Sequence, residues 1–97
     1  MLKAVFLFQK TADPDDVDKY IATYVVGPIK SSPGFRSLSM NTEPLMSPFG
    51  SPPYYRIVEA TLESLEHFIA IGNSELIQSS KPHTPEGTSI MFYEFEV

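Results

Sequence analysis

Apolar and polar positions along this chain keep two different rhythms, and their alternation predicts the elements. Leu2 to Phe8 is a nearly continuous apolar run rich in Val and Phe, the mark of a strand covered on both faces. The stretch "TADPDD" then carries the signals of a helix start. Asp13 stands at the cap position, Pro14 fits the first helical position, and Asp15 and Asp16 suit the positive end of the helix dipole. Val17, Tyr20, Ile21, Tyr24 and Val25 follow at the spacing of one helical stripe. The helix is expected to end near Gly27-Pro28, because proline restricts the residue before it. Phe35 to Thr42 reads as a second strand, with Arg36, Leu38 and Met40 on one face. Glu43 to Pro53 is a loop dense in Pro, Gly and Ser that also holds Leu45, Met46 and Phe49. Such a loop is expected to fold over a surface, of its own domain or of a partner. Tyr54 to Leu62 reads as a third strand, with Tyr55, Ile57 and Glu59 opposite Tyr54, Arg56, Val58 and Ala60. Ser64 caps a second helix with Leu65, Phe68 and Ile69 inward, Gly72-Asn73 interrupts it, and "SELIQSS" is a further helical turn. After the loop "KPHTPEG", Ser89 to Val97 forms the last strand.

Strand, helix, strand, strand, helix, strand is the split βαβ plan. The predicted class is therefore α+β: a ferredoxin-like βαββαβ domain over residues 1–97, with a four-stranded antiparallel sheet and helices on one face. That plan leaves a difficulty. The last strand would place Met91, Tyr93, Phe95 and Val97 on one face and Ile90 and Phe92 on the other. Nothing else in the chain is left to cover the second face of the sheet. Open apolar patches of this kind mark an interface, so a second copy packed sheet to sheet is the expected partner.

Composition narrows the choice of partners. The chain has 97 residues, 42 % hydrophobic and 20 % charged, which suits one globular domain. A domain of this size buries only roughly 60–65 % of its unfolded surface, so a subunit interface would add needed core. The net charge of -5, with seven scattered basic residues, argues against a nucleic-acid partner. With no cysteine, disulfides, thiolate nucleophiles and cysteine-held metal clusters are excluded. The apolar run at the start is shorter than the ~7–15 residues of a signal-peptide core, and no stretch nears the ~20 apolar residues of a membrane span. A cytoplasmic protein without membrane contact is the expectation.

Candidate chemistry is sparse. His67 lies beside the apolar stripe of the second helix, with Glu63 four residues before it, a pair able to tune a general base. His83 sits in a loop stiffened by prolines and reads as a surface histidine. No metal-ligand spacing, phosphate loop or nucleophile elbow occurs. The tyrosines form the more suggestive set: Tyr20 and Tyr24 share a helical face, and Tyr55 and Tyr93 come from strands. With Phe68, Met40 and Met91 they could be ordinary core, or the wall of an apolar pocket with a few hydroxyls. Arg36 and Arg56 are expected to form ion pairs with Glu59 or Glu94, or else to hold an anionic group.

The whole chain resembles the EthD family of the dimeric α+β barrel superfamily. "MLKAVFLFQKTADPDDVDKY" is similar to that family's first strand and acidic, Pro-containing helix start; "GPIKSSPGF" to its helix end and turn; and "SPPYYRIVEATLESLEHF" to its third strand and second helix. The resemblance implies a homodimer whose two sheets form a barrel, with a cleft between helices and sheet in each protomer. EthD itself is associated with ethyl tert-butyl ether degradation, and superfamily relatives include cofactor-independent monooxygenases, muconolactone isomerases and haem-binding chlorite dismutases. The fold alone does not set the function. Family members often carry His-x-Pro-Leu at the end of the first helix. Here the segment is "VGPI", with Val26 at the histidine's place. Valine neither transfers a proton nor binds a metal, so no cofactor is expected. The resulting expectation is a dimer that acts on or binds a small apolar, aromatic-sized molecule. Its wall would be Tyr20, Tyr24, Val26, Met40, Tyr55, Phe68, Met91 and Tyr93, with His67 and Tyr24 as the candidates for proton transfer. A non-catalytic carrier is the alternative, which Val26 favours.

Overall fold

A computed structural model describes residues 1–96, so Val97 of the predicted last strand lies outside the described residues. The strands are β1 (Leu2–Gln9), β2 (Phe35–Met40), β3 (Tyr54–Leu62) and β4 (Ser89–Glu94). They form one sheet in the order β2-β3-β1-β4, with every neighbouring pair antiparallel. The helical elements are α1 (Pro14–Tyr20), a π-helical segment (Ile21–Val26), α2 (Gly27–Lys30), α3 (Leu65–Gly72) and α4 (Glu75–Ser80). This is the predicted α+β, ferredoxin-like plan.

Register assigns the two faces. Leu2, Ala4, Phe6 and Phe8 of β1 and Val58, Ala60 and Leu62 of β3 are buried under the helices. They meet Val17, Ile21, Val25 and Ile29 in one core. Lys3, Val5 and Leu7 point to the opposite face, where Val5 pairs with Met91 and Lys3 with Tyr93. Among the described residues no element covers that face. Met91 and Tyr93 are 52 % and 54 % exposed. Even on the helical side β4 is only partly covered: Ile90 and Phe92 are about as exposed, although Phe92 meets the Phe68 ring with centroids 5.1 Å apart.

The first helix runs on where an end was expected. Gly27 and Pro28 lie inside helical backbone that continues to Lys30. Two features make this feasible. Gly27 has no Cβ to meet the proline ring, and the preceding six residues are wound as the wider π-helix, which relaxes the turn that proline would otherwise clash with. The π segment also keeps the core stripe in phase. Val17, Ile21, Val25 and Ile29 recur every four residues, a spacing that drifts by ~40° per repeat on an ideal α-helix of 3.6 residues per turn. The wider winding turns the drift back, so all four reach the sheet.

Helix starts divide by chemistry. Ser64 and Ser74 accept the backbone N–H of His67 and Ile77 and so cap α3 and α4. Asp13 occupies the predicted cap position but its side chain makes no capping bond; Pro14 holds the first turn there. On α3, Leu65, Phe68 and Ile71 pack inward, whereas Ile69 is 49 % exposed, one position away from the expected face.

Candidate functional site

Between the helical layer and the sheet lies a cavity of about 120 Å³. Its floor is Phe6 and Ile90 of the sheet, and its walls are Tyr20, Tyr24, Val25 and Ile29 from the first helix and Phe68, Ile71 and Ile77 from α3 and α4. Ser80 closes it, itself buried, with its hydroxyl donating to the Ile77 carbonyl at 2.6 Å. No lining side chain is charged at neutral pH. The chemistry on offer is therefore apolar enclosure with a few hydroxyls.

Aromatic contacts lead from this cavity to the surface. Phe8 meets Tyr20 edge-on at 6.1 Å, Tyr20 meets Tyr24 at 5.3 Å, and the imidazole of His83 lies parallel to Tyr24, 6.1 Å away and within 3°. The Tyr20 hydroxyl shares a hydrogen bond with Thr84 at 3.3 Å. His83, in a short 3₁₀ turn (Lys81–His83), is exposed and lines a surface recess that shares Tyr20 and Tyr24 with the cavity.

The sequence-derived wall divides. Tyr20, Tyr24 and Phe68 come together here. Val26 is half-buried against the core but does not line the cavity. Met40 follows the helical side of β2 opposite Val58, away from it. Met91 and Tyr93 lie on the other side of the sheet, as the alternation along β4 requires. His67 is elsewhere too. Its ring packs so closely on Gly34 that a Cβ there would collide with it. Its Nδ1 bonds the Ser64 hydroxyl at 2.7 Å. The Glu63 partner expected for it is taken by Arg36 at 2.9 Å, so the Glu–His pair does not form. Phe6, Ile71 and Ser80 also line the cavity, and none of the three was singled out by the sequence, whose spacing put Ile69 instead of Ile71 on the inner face of the second helix.

Tyr55 is displaced by a bulge. Phe8 pairs with Arg56 and Gln9 with Tyr54, which leaves Tyr55 as the extra residue. Both Tyr55 and Arg56 consequently reach Asp18 of α1. The Tyr55 hydroxyl donates to Asp18 Oδ2 at 2.7 Å and Arg56 Nε to Oδ1 at 3.1 Å. Neither arginine meets Glu59 or Glu94, because the strand irregularities at Arg36 and Tyr55 redirect them to Glu63 and Asp18. The hydrogen bond to the Asp18 carboxylate, aided by burial, pushes the Tyr55 phenol above its ordinary range. Its folded value exceeds its unfolded one, so this bond contributes stability fully present below about pH 10 and lost as pH rises through the folded value. In an ultraviolet titration of the folded protein one tyrosine should ionise later than free tyrosine, and Tyr55→Phe should remove that late phase. Retention of the phase in the variant would contradict the assignment.

No family model matches the chain, and no curated protein matches its sequence. Solved structures do match along almost its full length. An EthD family protein from Bacillus halodurans superposes with a TM-score of 0.72 at 17 % identity, covering 99 % of each chain. A dimeric ferredoxin-like protein of unknown function from Jannaschia gives 0.74 at 13 %, covering 97 % of this chain and 98 % of that one. The hydroxynitrile lyase of Passiflora edulis gives 0.73 at 14 %, covering 98 % and 93 %. The resemblance read from the sequence thus holds in three dimensions as a fold: this chain has the four-stranded ferredoxin-like fold of these structures, an EthD family protein among them.

Proposed function

We propose that this protein encloses a small apolar molecule, about the size of one aromatic ring, in the cleft between helices and sheet, and that it does so as a homodimer without a cofactor. The observation that carries this reading is the cavity itself: about 120 Å³, apolar on nearly every side, with tyrosine hydroxyls toward its mouth. A cavity of about 150 Å³ with such walls stays dry and takes up benzene. The homodimer is supported by the uncovered apolar face and by fold neighbours that are described as dimeric.

A second reading rests on one observation, the parallel stack of His83 on Tyr24. It would let Tyr24 move a proton to or from an enclosed substrate, with the imidazole steadying the phenol. A hydroxynitrile lyase shares the fold, so the fold is compatible with catalysis on small molecules.

Titration with benzene, followed by NMR, tests the site. Saturable shifts are expected at Tyr20, Tyr24, Phe68 and Ile71. Filling the cavity with Ile71→Trp should weaken binding at least tenfold, ~1.4 kcal/mol. Shifts that never saturate, or that ignore Ile71→Trp, would sink the enclosure. Native mass spectrometry of freshly purified protein, then of the same sample denatured, separates the two readings. A released adduct that is returned unchanged after incubation marks a binder. One that is converted by the native protein but not by Tyr24→Phe marks an enzyme.

A further inference from the structure

Beside the bulge that displaces Tyr55 lies a second recess, which shares no lining residue with the cleft. It measures about 260 Å³ and is lined by Lys10, Thr42, Pro44, Leu45, Tyr54, Tyr55 and Arg56. We propose that this recess is a binding site for a small organic monocarboxylate, distinct from the apolar cleft.

Charge comes first. Two of the chain's seven basic residues face one recess in a protein of net charge -5. Among the described residues Lys10 has no carboxylate partner, since the ion pairs are Arg36–Glu63 and Arg56–Asp18. Asp18 pairs with Arg56 and Asp15 is near enough to act on Tyr55, so Lys10 is the cation of the recess left without an ion-pair partner, enough for one carboxylate and too little for a polyanion. The overall acidic surface does little to oppose it, because charges beyond the ~8 Å Debye length at physiological salt are screened.

Geometry follows. Arg56 is fixed, not free: Nε donates to Asp18, Nη1 to the Asn41 carbonyl at 3.2 Å, and Nη2 to the Tyr55 hydroxyl at 3.0 Å. A guanidinium has five N–H donors, so three bonds leave two for a ligand. Its side chain is only 18 % exposed, where an unsatisfied donor is costly. Thr42 and Tyr54 line the same space, and their hydroxyls make no hydrogen bond among the described residues. Asn41 holds the rim in place by accepting the Ile57 N–H at 2.8 Å and donating to the Tyr55 carbonyl at 3.2 Å.

The walls choose the class of anion. Pro44, Leu45 and the tyrosine rings give the recess an apolar side that inorganic phosphate would not use. Leu45 is half-buried there while its loop neighbours Met46 and Phe49 are almost fully exposed, so this part of the loop already lies over the recess. The volume is just below the ~300–1,000 Å³ of drug-sized pockets, so the occupant is small.

The test is a ¹H–¹⁵N NMR titration of the full chain with benzoate, and in parallel with benzyl alcohol and inorganic phosphate. Benzoate should produce saturable shifts clustered at Lys10, Thr42, Leu45, Tyr54 and Arg56, and bind more tightly than either of the others. Lys10→Met removes an exposed charge without touching the Arg56 network, and should weaken benzoate by about fivefold, the worth of one ~1 kcal/mol ion pair. Benzyl alcohol binding equally well, phosphate matching benzoate, or an unchanged affinity in Lys10→Met would each overturn the proposal. Benzoate shifts centred on Tyr24 and Phe68 would assign the ligand to the cleft and overturn it as well.

Discussion

Leu7→Glu should turn a dimer into a monomer. Leu7 stands on the uncovered face of the sheet, between Ile57 of β3 and Ser89 of β4, with Val5 and Met91 close by in the same apolar field. If a second copy covers that field, a carboxylate at position 7 enters the interface of both subunits at once. An unpaired buried charge costs several kcal/mol. At ~1.4 kcal/mol per tenfold, even 4 kcal/mol weakens association by roughly a thousandfold. Analytical ultracentrifugation at micromolar concentration should show the natural sequence at twice the chain mass and the variant at the chain mass. Lys30→Glu, an exposed change on the helical layer, should leave the dimer intact. A natural protein that sediments as a monomer, or a Leu7→Glu variant that stays dimeric, would remove the interface from this sheet face.

Phe8→Ala should bring the largest loss of stability of a single truncation. Phe8 is 1 % exposed, the bulkiest fully buried side chain, and it supports Tyr20 edge-on at the base of the cleft. Truncating a buried phenylalanine costs ~3–5 kcal/mol, against a total of ~5–15 kcal/mol for a typical domain. Each kcal/mol lowers Tm by ~4–8 °C at this size, so a fall of more than ~12 °C is expected. Tyr20 loses its backing, so benzene binding in the cleft should weaken alongside. Phe49→Ala is the matched control: the same residue type, 96 % exposed, expected to shift stability by no more than ~0.5 kcal/mol. Similar Tm values for the two variants would mean the core is not packed as described.

Most of the fold was legible because its signals are local and periodic. β3 and the start of β1 fall where the alternation of Val, Ile and Phe put them, and Ser64 and Ser74 start helices by a side-chain bond that sequence displays directly. Of the candidate site, Tyr20 and Tyr24 on the first helix and Phe68 on α3 were legible. Two of the errors come from a departure from the regular period. The π segment carries the first helix past Pro28, and the bulge at Tyr55 swings that side chain and Arg56 toward Asp18. Neither departure leaves a pattern in the chain, since each is selected by what the residues pack against. Met91 and Tyr93 were grouped with the helical tyrosines because both sets are aromatic or soft, yet the two-residue period of β4 separates them. His83 is the exposed loop histidine its prolines suggested, and its parallel approach to Tyr24 is a contact that loop position does not display.

The position of β4 at the sheet's edge has a consequence for handling the protein in solution. Its outer backbone amides and carbonyls have no neighbour strand, and both of its faces are half open. A closed pair of subunits would use up the apolar surface, but a chain set loose by dilution or mutation would offer an edge that can stack without limit. Glu94 and Glu96 at the end of this strand, with the net charge of -5, act as colloidal guards against that outcome. The net charge of the whole chain falls toward zero at the sequence pI of about 4.8, so mildly acidic buffers are where dissociated chains are expected to precipitate.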